Sequence, residues 1–282
     1  MTRTVRGRPG FWHHSPLILA SAGVHSAAVV TLAAVPDSWP LALGALVANH
    51  AAIAAASMAP RSRLLGPNIT RLPGPHTGVM ALTFDDGPDP DVTPRVLALL
   101  EQAGAAATFF CIGRRAQQHP ELIAAIRARG HGIENHTFSH HSGFALGRSA
   151  ALRAEVHGGQ VALTAAGAAL PRFFRAPAGM QNPWLPAVLA AEGLSLVSWT
   201  RRGFDTVTRD PRLVAKRLVK HLAAGDILLM HDGRSARTAS GAPVVLDALA
   251  RVLDAMAARG LRSDALGAVL PASLAGCSTD AG

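Results

Sequence analysis

ALTFDDGPDP, residues 81–90, joins a short apolar run to two adjacent aspartates, a glycine and a proline. Adjacent carboxylates at the mouth of a buried strand repel each other and resist desolvation, so their presence there needs a cause. The run is the first of a series. Strand-like stretches at 79–86, 106–113, 132–137, 172–177, 194–200 and 226–232 alternate with helix-like ones, most of which end in glycine. This alternation predicts an α/β domain with a parallel sheet, closed into a barrel. In such folds chemistry gathers at the C-terminal ends of the strands. Polar residues fall there in this chain: Asp85 and Asp86 after the first run, His136 after the third, Arg175 after the fourth, Asp205 beyond the fifth and His231 after the sixth.

The 282 residues suffice for one sizeable domain and an addition to it. The net charge of +9 is unevenly spread. Six arginines and one acid, Asp37, precede residue 79, whereas 21 basic and 17 acidic residues follow it. The basic residues do not cluster with aromatic ones and form no known motif, so nucleic acid is not an expected partner. Cys111 lies in an apolar run and reads as a small packed hydrophobe; with Cys277 far away, no disulfide framework is implied. LAGC, 274–277, has the form of an acylation box but stands at the wrong end of the chain.

Residues 1–60 form a separate object. Stretches 15–35 and 38–60 hold no Asp, Glu, Lys or Arg, and each approaches the ~20 residues of a membrane-spanning helix. The connector, Pro36-Asp37, allows only a tight hairpin. Two membrane helices are the preferred reading. A cleaved signal peptide would explain the first stretch but not the second, and a soluble hairpin packed on the main domain is a third reading. His25, Asn49 and His50 inside these stretches are expected to serve contact between the two helices. Arg3, Arg6 and Arg8 precede the pair and Arg61, Arg63 and Arg71 follow it. The positive-inside rule then puts both ends in the cytoplasm, at a bacterial inner membrane. Residues 61–78, rich in proline and glycine, read as a linker to the domain at 79–282.

HTFSH, 136–140, sets two imidazoles four apart, which on a helical turn would share a face. With Asp86 they make a His₂Asp set suited to one divalent metal, Zn²⁺ first, with Co²⁺ or Ni²⁺ also compatible. Such a cation resolves the opening problem. It neutralises Asp86 and leaves Asp85 free as a base towards a metal-activated water. Asp89 and Asp91 are expected to cap the helix whose first turn holds Thr93-Pro94. His13, His14, His76, His119, His131, His157 and His221 read as surface or packing residues, and His141 as a weak candidate. Trp184 and Trp199 are candidate sugar platforms; Trp12 and Trp39 suit a membrane interface.

TFDDGP, NHTFSH, FRAPAG and LLMHD, in this order, resemble the polysaccharide deacetylase family with the NodB homology domain, carbohydrate esterase family 4. The resemblance spans 79–232 by motif and implies a domain over 76–282. It implies a distorted (β/α) barrel and metal-dependent removal of an N- or O-acetyl group from a carbohydrate. It also implies roles: Asp85 as base, Asp86, His136 and His140 as metal ligands, and Arg175 orienting the base. His231 would be the general acid, with Asp205 its partner. Leu229 would receive the acetyl methyl, and the backbone N–H of Ala178 would face the oxyanion. Two departures stand out. Ala178 occupies a position often held by tyrosine, and in TRRGFDT, 200–206, Arg202 and Thr206 replace an aspartate and a tryptophan of the family pattern. Two other readings follow: a deacylase of a lipid-linked sugar precursor at the cytoplasmic membrane face, and a non-catalytic carbohydrate-binding protein on a decayed barrel.

Overall fold

The computed structural model describes residues 15–75 and 77–271. Arg3, Arg6, Arg8, Trp12, His13, His14, His76 and Cys277, with the LAGC stretch, lie outside the described residues.

Two helices open the described chain, α1 (Pro16–Ala34) and α2 (Trp39–Met58), joined by a 3-10 turn at Pro36–Ser38. Ser15 caps α1 by accepting from Ile18 N at 3.1 Å. The pair is held by Asn49 Nδ2 donating to Ser21 Oγ, 2.9 Å, and by an edge-on contact of the His25 and His50 rings. These are the contacts expected of the polar residues in the two runs. Both helices are apolar on all sides, yet Val29, Val30, Leu41 and Val47 are exposed. A helix apolar all round is ordinarily enclosed by protein or lipid.

The chain then alternates: β1 (Val79–Asp85), α3 (Thr93–Gln102), β2 (Ala107–Cys111), α4 (Gly113–Gln118), α5 (Pro120–Ala128), β3 (Gly132–Asn135), α6 (Ser149–Ala165) and β4 (Phe173–Phe174). It continues with α7 (Leu185–Ala191), β5 (Ser195–Leu196), β6 (Arg201–Arg202), α8 (Pro211–Val219), β7 (Ile227–His231), α9 (Val244–Ala257), β8 (Arg262–Ser263) and α10 (Leu266–Val269). All strand pairs are parallel, in the order β5-β4-β3-β2-β1-β7-β6, with β8 on the start of β1. The curled sheet matches the expected distorted barrel. Of the strand expected over 194–200 only Ser195–Leu196 forms, as β5 beside β4, and a second strand, β6, follows just beyond it beside β7. One run of chain, 195–202, therefore supplies both ends of the sheet. Asp205 follows β6 for this reason.

Alternation along β1 decides what the barrel encloses. Met80, Leu82 and Phe84 pack outward with Val96, Leu100, Leu249 and Val252 of the helices. Ala81 packs inward, with Phe110, Phe173, Ile227 and Leu229. Thr83 and Asp85 share that inward face, and Asp85 is in register with His231 of β7. All seven residues of β1 are buried, as in a parallel strand covered on both sides. Cys111 is buried and unpaired in this core, as read from the sequence.

Residues 60–72 lie against the barrel. Ile69 bridges Val197, and Leu65, Asn68 and Leu72 are buried. Arg71 pairs with the buried Asp226 at 2.7 Å, and Arg61 donates to the Thr200 carbonyl. These arginines thus have structural partners in addition to any topological role. The end of α2 meets the barrel where Gln181 N donates to Ser57 O, 2.8 Å, and Ser198 Oγ donates to Pro60 O. Gly179 is at φ +74°, and a Cβ there would lie 2.6 Å from Pro60 and 2.5 Å from Trp199. Only glycine admits both neighbours.

α6 holds the third strand end in place. Asn135 donates to Val156 O, 2.8 Å, and accepts from Thr137 N, 2.8 Å. A Cβ at Gly159 would lie 2.4 Å from Asn135 Oδ1. Gly159→Val is therefore expected to destabilise the protein by roughly 1–3 kcal/mol, the usual cost of overpacking. Denaturant unfolding checks this; an unchanged midpoint would show that α6 does not press on the 135–137 turn.

Candidate active site

The C-terminal ends of β1, β3, β4 and β7 surround a cleft of about 280 Å³. Asp85, Asp86, His136, His140, Ala178, Trp199, Leu229 and His231 line it. A larger groove, about 390 Å³, opens near Ala105 and Ser263 at the opposite strand ends and contains no such cluster.

Asp85 closes β1 facing inward and is fixed by Arg175. Nη1 of Arg175 lies 2.7 Å from Asp85 Oδ1 and 2.8 Å from Thr83 Oγ1. Nε and Nη2 donate to the carbonyls of Val197 and Ser198, and the guanidinium stacks 4.0 Å from the centre of the Phe110 ring. The side chain is fully buried. Burial lowers the guanidinium pKa from its ordinary value, and Asp85 opposes the shift. Thr83 was not singled out from the sequence, although its place two residues before Asp85 puts it on the same face.

Asp86 begins the turn after β1 with φ 70°. Its Oδ1 lies 3.3 Å from His136 Nε2 and 3.0 Å from His140 Nε2. The three ligand atoms fall within 4.8 Å of one another. His136 Nδ1 donates to the Arg175 carbonyl at 2.7 Å, which leaves its Nε2 lone pair facing Asp86. Asp86 Oδ1 is buried without a hydrogen-bond partner. Burial raises the Asp86 carboxyl pKa, but the two imidazoles outweigh burial and hold it well below the ordinary range. The buried oxygen between two imidazole nitrogens is a place that a cation could occupy. The N₂O donor set, with the second nitrogen of His136 hydrogen-bonded, fits a divalent metal.

The His pair does not sit on a helical turn. β3 ends at Asn135, and 136–140 is a loop with Thr137 at φ 66° and His140 at φ 52°. Asn135 draws Thr137 N to its side chain, and Thr137 Oγ1 accepts from His140 N at 2.9 Å, replacing helical bonds. Left-handed non-glycine residues recur at this site, with Ala178 at φ 55°.

On the facing wall, His231 Nδ1 and N bind the two oxygens of buried Asp205, at 2.9 and 2.7 Å. Burial lowers the imidazole pKa, but the carboxylates of Asp205, Asp85 and Asp86 outweigh it and raise the pKa to about 9. Leu229 lies two residues before His231 on the same inward face. Trp199 is buried in the wall, whereas Trp184 is 57% exposed and lies outside the cleft. His141 also lies outside the lining and accepts from Gly143 N. Asp89 caps the turn into α3 by accepting from Asp91 N and Val92 N, whereas Asp91 pairs with Arg237 and Arg95 instead. Arg234 lines the cleft unannounced by any motif, with Nη1 3.2 Å from His140 Nδ1.

Comparison with known proteins agrees with this arrangement. The sequence profile described as polysaccharide deacetylase matches residues 74–197. A peptidoglycan-N-acetylglucosamine deacetylase of Bacillus cereus is 35% identical over 187 residues, covering 65% of this chain and 84% of that protein. A chitooligosaccharide deacetylase of Bradyrhizobium is 36% identical over 192 residues, covering 64% and 84%. Among solved structures, a family 4 carbohydrate esterase from Streptomyces lividans, in complex with acetate, aligns with a TM-score of 0.60 at 32% identity, over 67% of this chain and 93% of that one. A family 4 pseudoenzyme from Bacillus anthracis aligns at 0.64 with 20% identity, a likeness of fold alone. With this fold and these relatives, the chain belongs to the polysaccharide deacetylase family, carbohydrate esterase family 4.

Proposed function

We propose that the protein is a metal-dependent carbohydrate deacetylase that hydrolyses an acetamido group to acetate and a free amine. The observation that carries this reading is the convergence of Asp86, His136 and His140 on one point, with Asp85 and His231 in the same cleft. The three converging residues would hold a divalent cation, Zn²⁺ by preference and Co²⁺ or Ni²⁺ by tolerance. When bound, such a cation supplies Lewis-acid polarisation of the carbonyl and a lowered water pKa.

The chain's own residues do the rest. Asp85, fixed by Arg175, accepts the proton of the attacking water. His231, kept protonated by Asp205, donates a proton to the departing nitrogen. Leu229 gives the acetyl methyl an apolar wall, Trp199 flanks the sugar, and the N–H of Ala178 faces the developing oxyanion. Two membrane helices followed by the catalytic domain are the favoured organisation, supported by the exposed apolar faces of α1 and α2. The contact of Pro60 with Gly179 at the cleft favours a second substrate reading, a lipid-linked sugar presented at the membrane.

Three outcomes are expected. Asp85→Asn should lower turnover by at least about 10²-fold with bound divalent metal retained, whereas His136→Ala should lose the metal. Elemental analysis beside acetate release checks both; unchanged turnover in the first variant would refute the base, and the absence of metal in the parent protein would refute the reaction. Secondly, His231 acts in its protonated form, so activity should fall as pH rises through about 9. In Asp205→Asn that alkaline limb should move to lower pH, because the carboxylate that raises the imidazole pKa is gone. Identical pH profiles would remove Asp205 from the role. Thirdly, a C-terminal fusion to alkaline phosphatase should be inactive, and a cytoplasm-active fluorescent fusion bright, if both chain ends are inside. The converse pattern would place the cleft outside the cytoplasm.

A further inference from the structure

Arg202 and Arg234 both line the cleft, and neither has a carboxylate within ion-pair distance among the described residues. Arg202 lies 5.5 Å from the Trp199 ring and 5.0 Å from that of Phe204, measured from its guanidinium carbon. Packing on a ring face uses none of the N–H donors, and Arg202 Nε is buried without a hydrogen-bond partner.

Arg234 Nη1 lies 3.2 Å from His140 Nδ1. An arginine can only donate, so this contact requires a lone pair on Nδ1.

The charges point the same way. Arg175 balances Asp85, and a protonated His231 balances Asp205. Arg202 and Arg234 thus face the cleft as two guanidinium groups without a carboxylate partner among the described residues. A neutral oligosaccharide needs no such field, whereas paired guanidinium groups suit carboxylate or phosphate.

We infer that the cleft takes an acetylated sugar bearing an anionic group, phosphate or carboxylate, held by Arg202 and Arg234. This deepens the deacetylase reading and rests on it for the identity of the sugar.

The test is calorimetric titration of the full chain with N-acetylglucosamine, N-acetylglucosamine 1-phosphate and N-acetylmuramic acid, which differ in charge. At least one charged sugar should bind about tenfold or more tightly than the neutral one. Arg202→Gln and Arg234→Gln, each checked for folding by circular dichroism, should both reduce that preference. Tighter binding of the phosphate identifies a phosphate-linked carrier; tighter binding of the carboxylate identifies an acidic sugar. Equal affinity for all three sugars, including no measurable binding of any, overturns the inference. So does a preference that survives in the folded double variant. Acetate release separates the two readings. Hydrolysis without charge preference refutes only the anionic subsite, and charge-selective binding without hydrolysis refutes only the deacetylase.

Discussion

The site depends on one buried cation. Arg175 sits inside the barrel with no exposed surface and ties β1, through Asp85 and Thr83, to the carbonyls of Val197 and Ser198. An unpaired charge there would be costly, and removing one partner of such a pair ordinarily costs roughly 3–5 kcal/mol. The guanidinium therefore fixes the spacing of the strand ends around it. Its backbone carbonyl also accepts from His136 Nδ1, so the residue that orients Asp85 also orients one of the histidines beside Asp86. Positioning of Asp85 and of His136 is thereby coupled through a single side chain and its own main chain.

The two adjacent aspartates are then separated in role by the backbone. Asp85 ends the strand facing inward, and Asp86 leaves it in a left-handed conformation that turns its carboxylate to the histidines. Each carboxylate has a different compensating partner: a permanent guanidinium for one, a pair of imidazoles for the other. The repulsion that makes the sequence conspicuous is relieved without moving either group to solvent.

Much of this was legible in the chain. The near-continuous apolar runs of 79–86 and 226–232 mark strands buried on both faces, and the end of each run marks the cleft. Spacing was less informative at 136–140, where a four-residue interval suggests a helix but Asn135 and Thr137 build a loop. The stretch 194–200 has the composition of one strand, but β5 takes only Ser195–Leu196 of it and β6 begins beyond it, because the chain changes partner from β4 to β7. Thr83 was recoverable from strand periodicity. Arg234 was not, because a lone arginine in a loop looks like a surface residue until the fold brings it to His140. The packing of residues 60–72 on the barrel was equally hidden, since proline and glycine content describes chain stiffness and not what Leu65 or Ile69 touches.

The run 195–202 has a consequence for self-association. An ordinary open sheet ends in two strands with unpaired amides, a template for pairing with another molecule. Here the two terminal strands are successive parts of one stretch, and Ile69 occupies part of its outer side by donating to Leu196 O and accepting from Ser198 N. The sheet thus offers little free edge while folded. The same economy makes the edge conditional. If residues 69–72 lift away, the bonds that cover β5 and the bond from Leu72 N to Gly225 O are lost together, so protection against aggregation resides in a segment outside the alternating strands and helices.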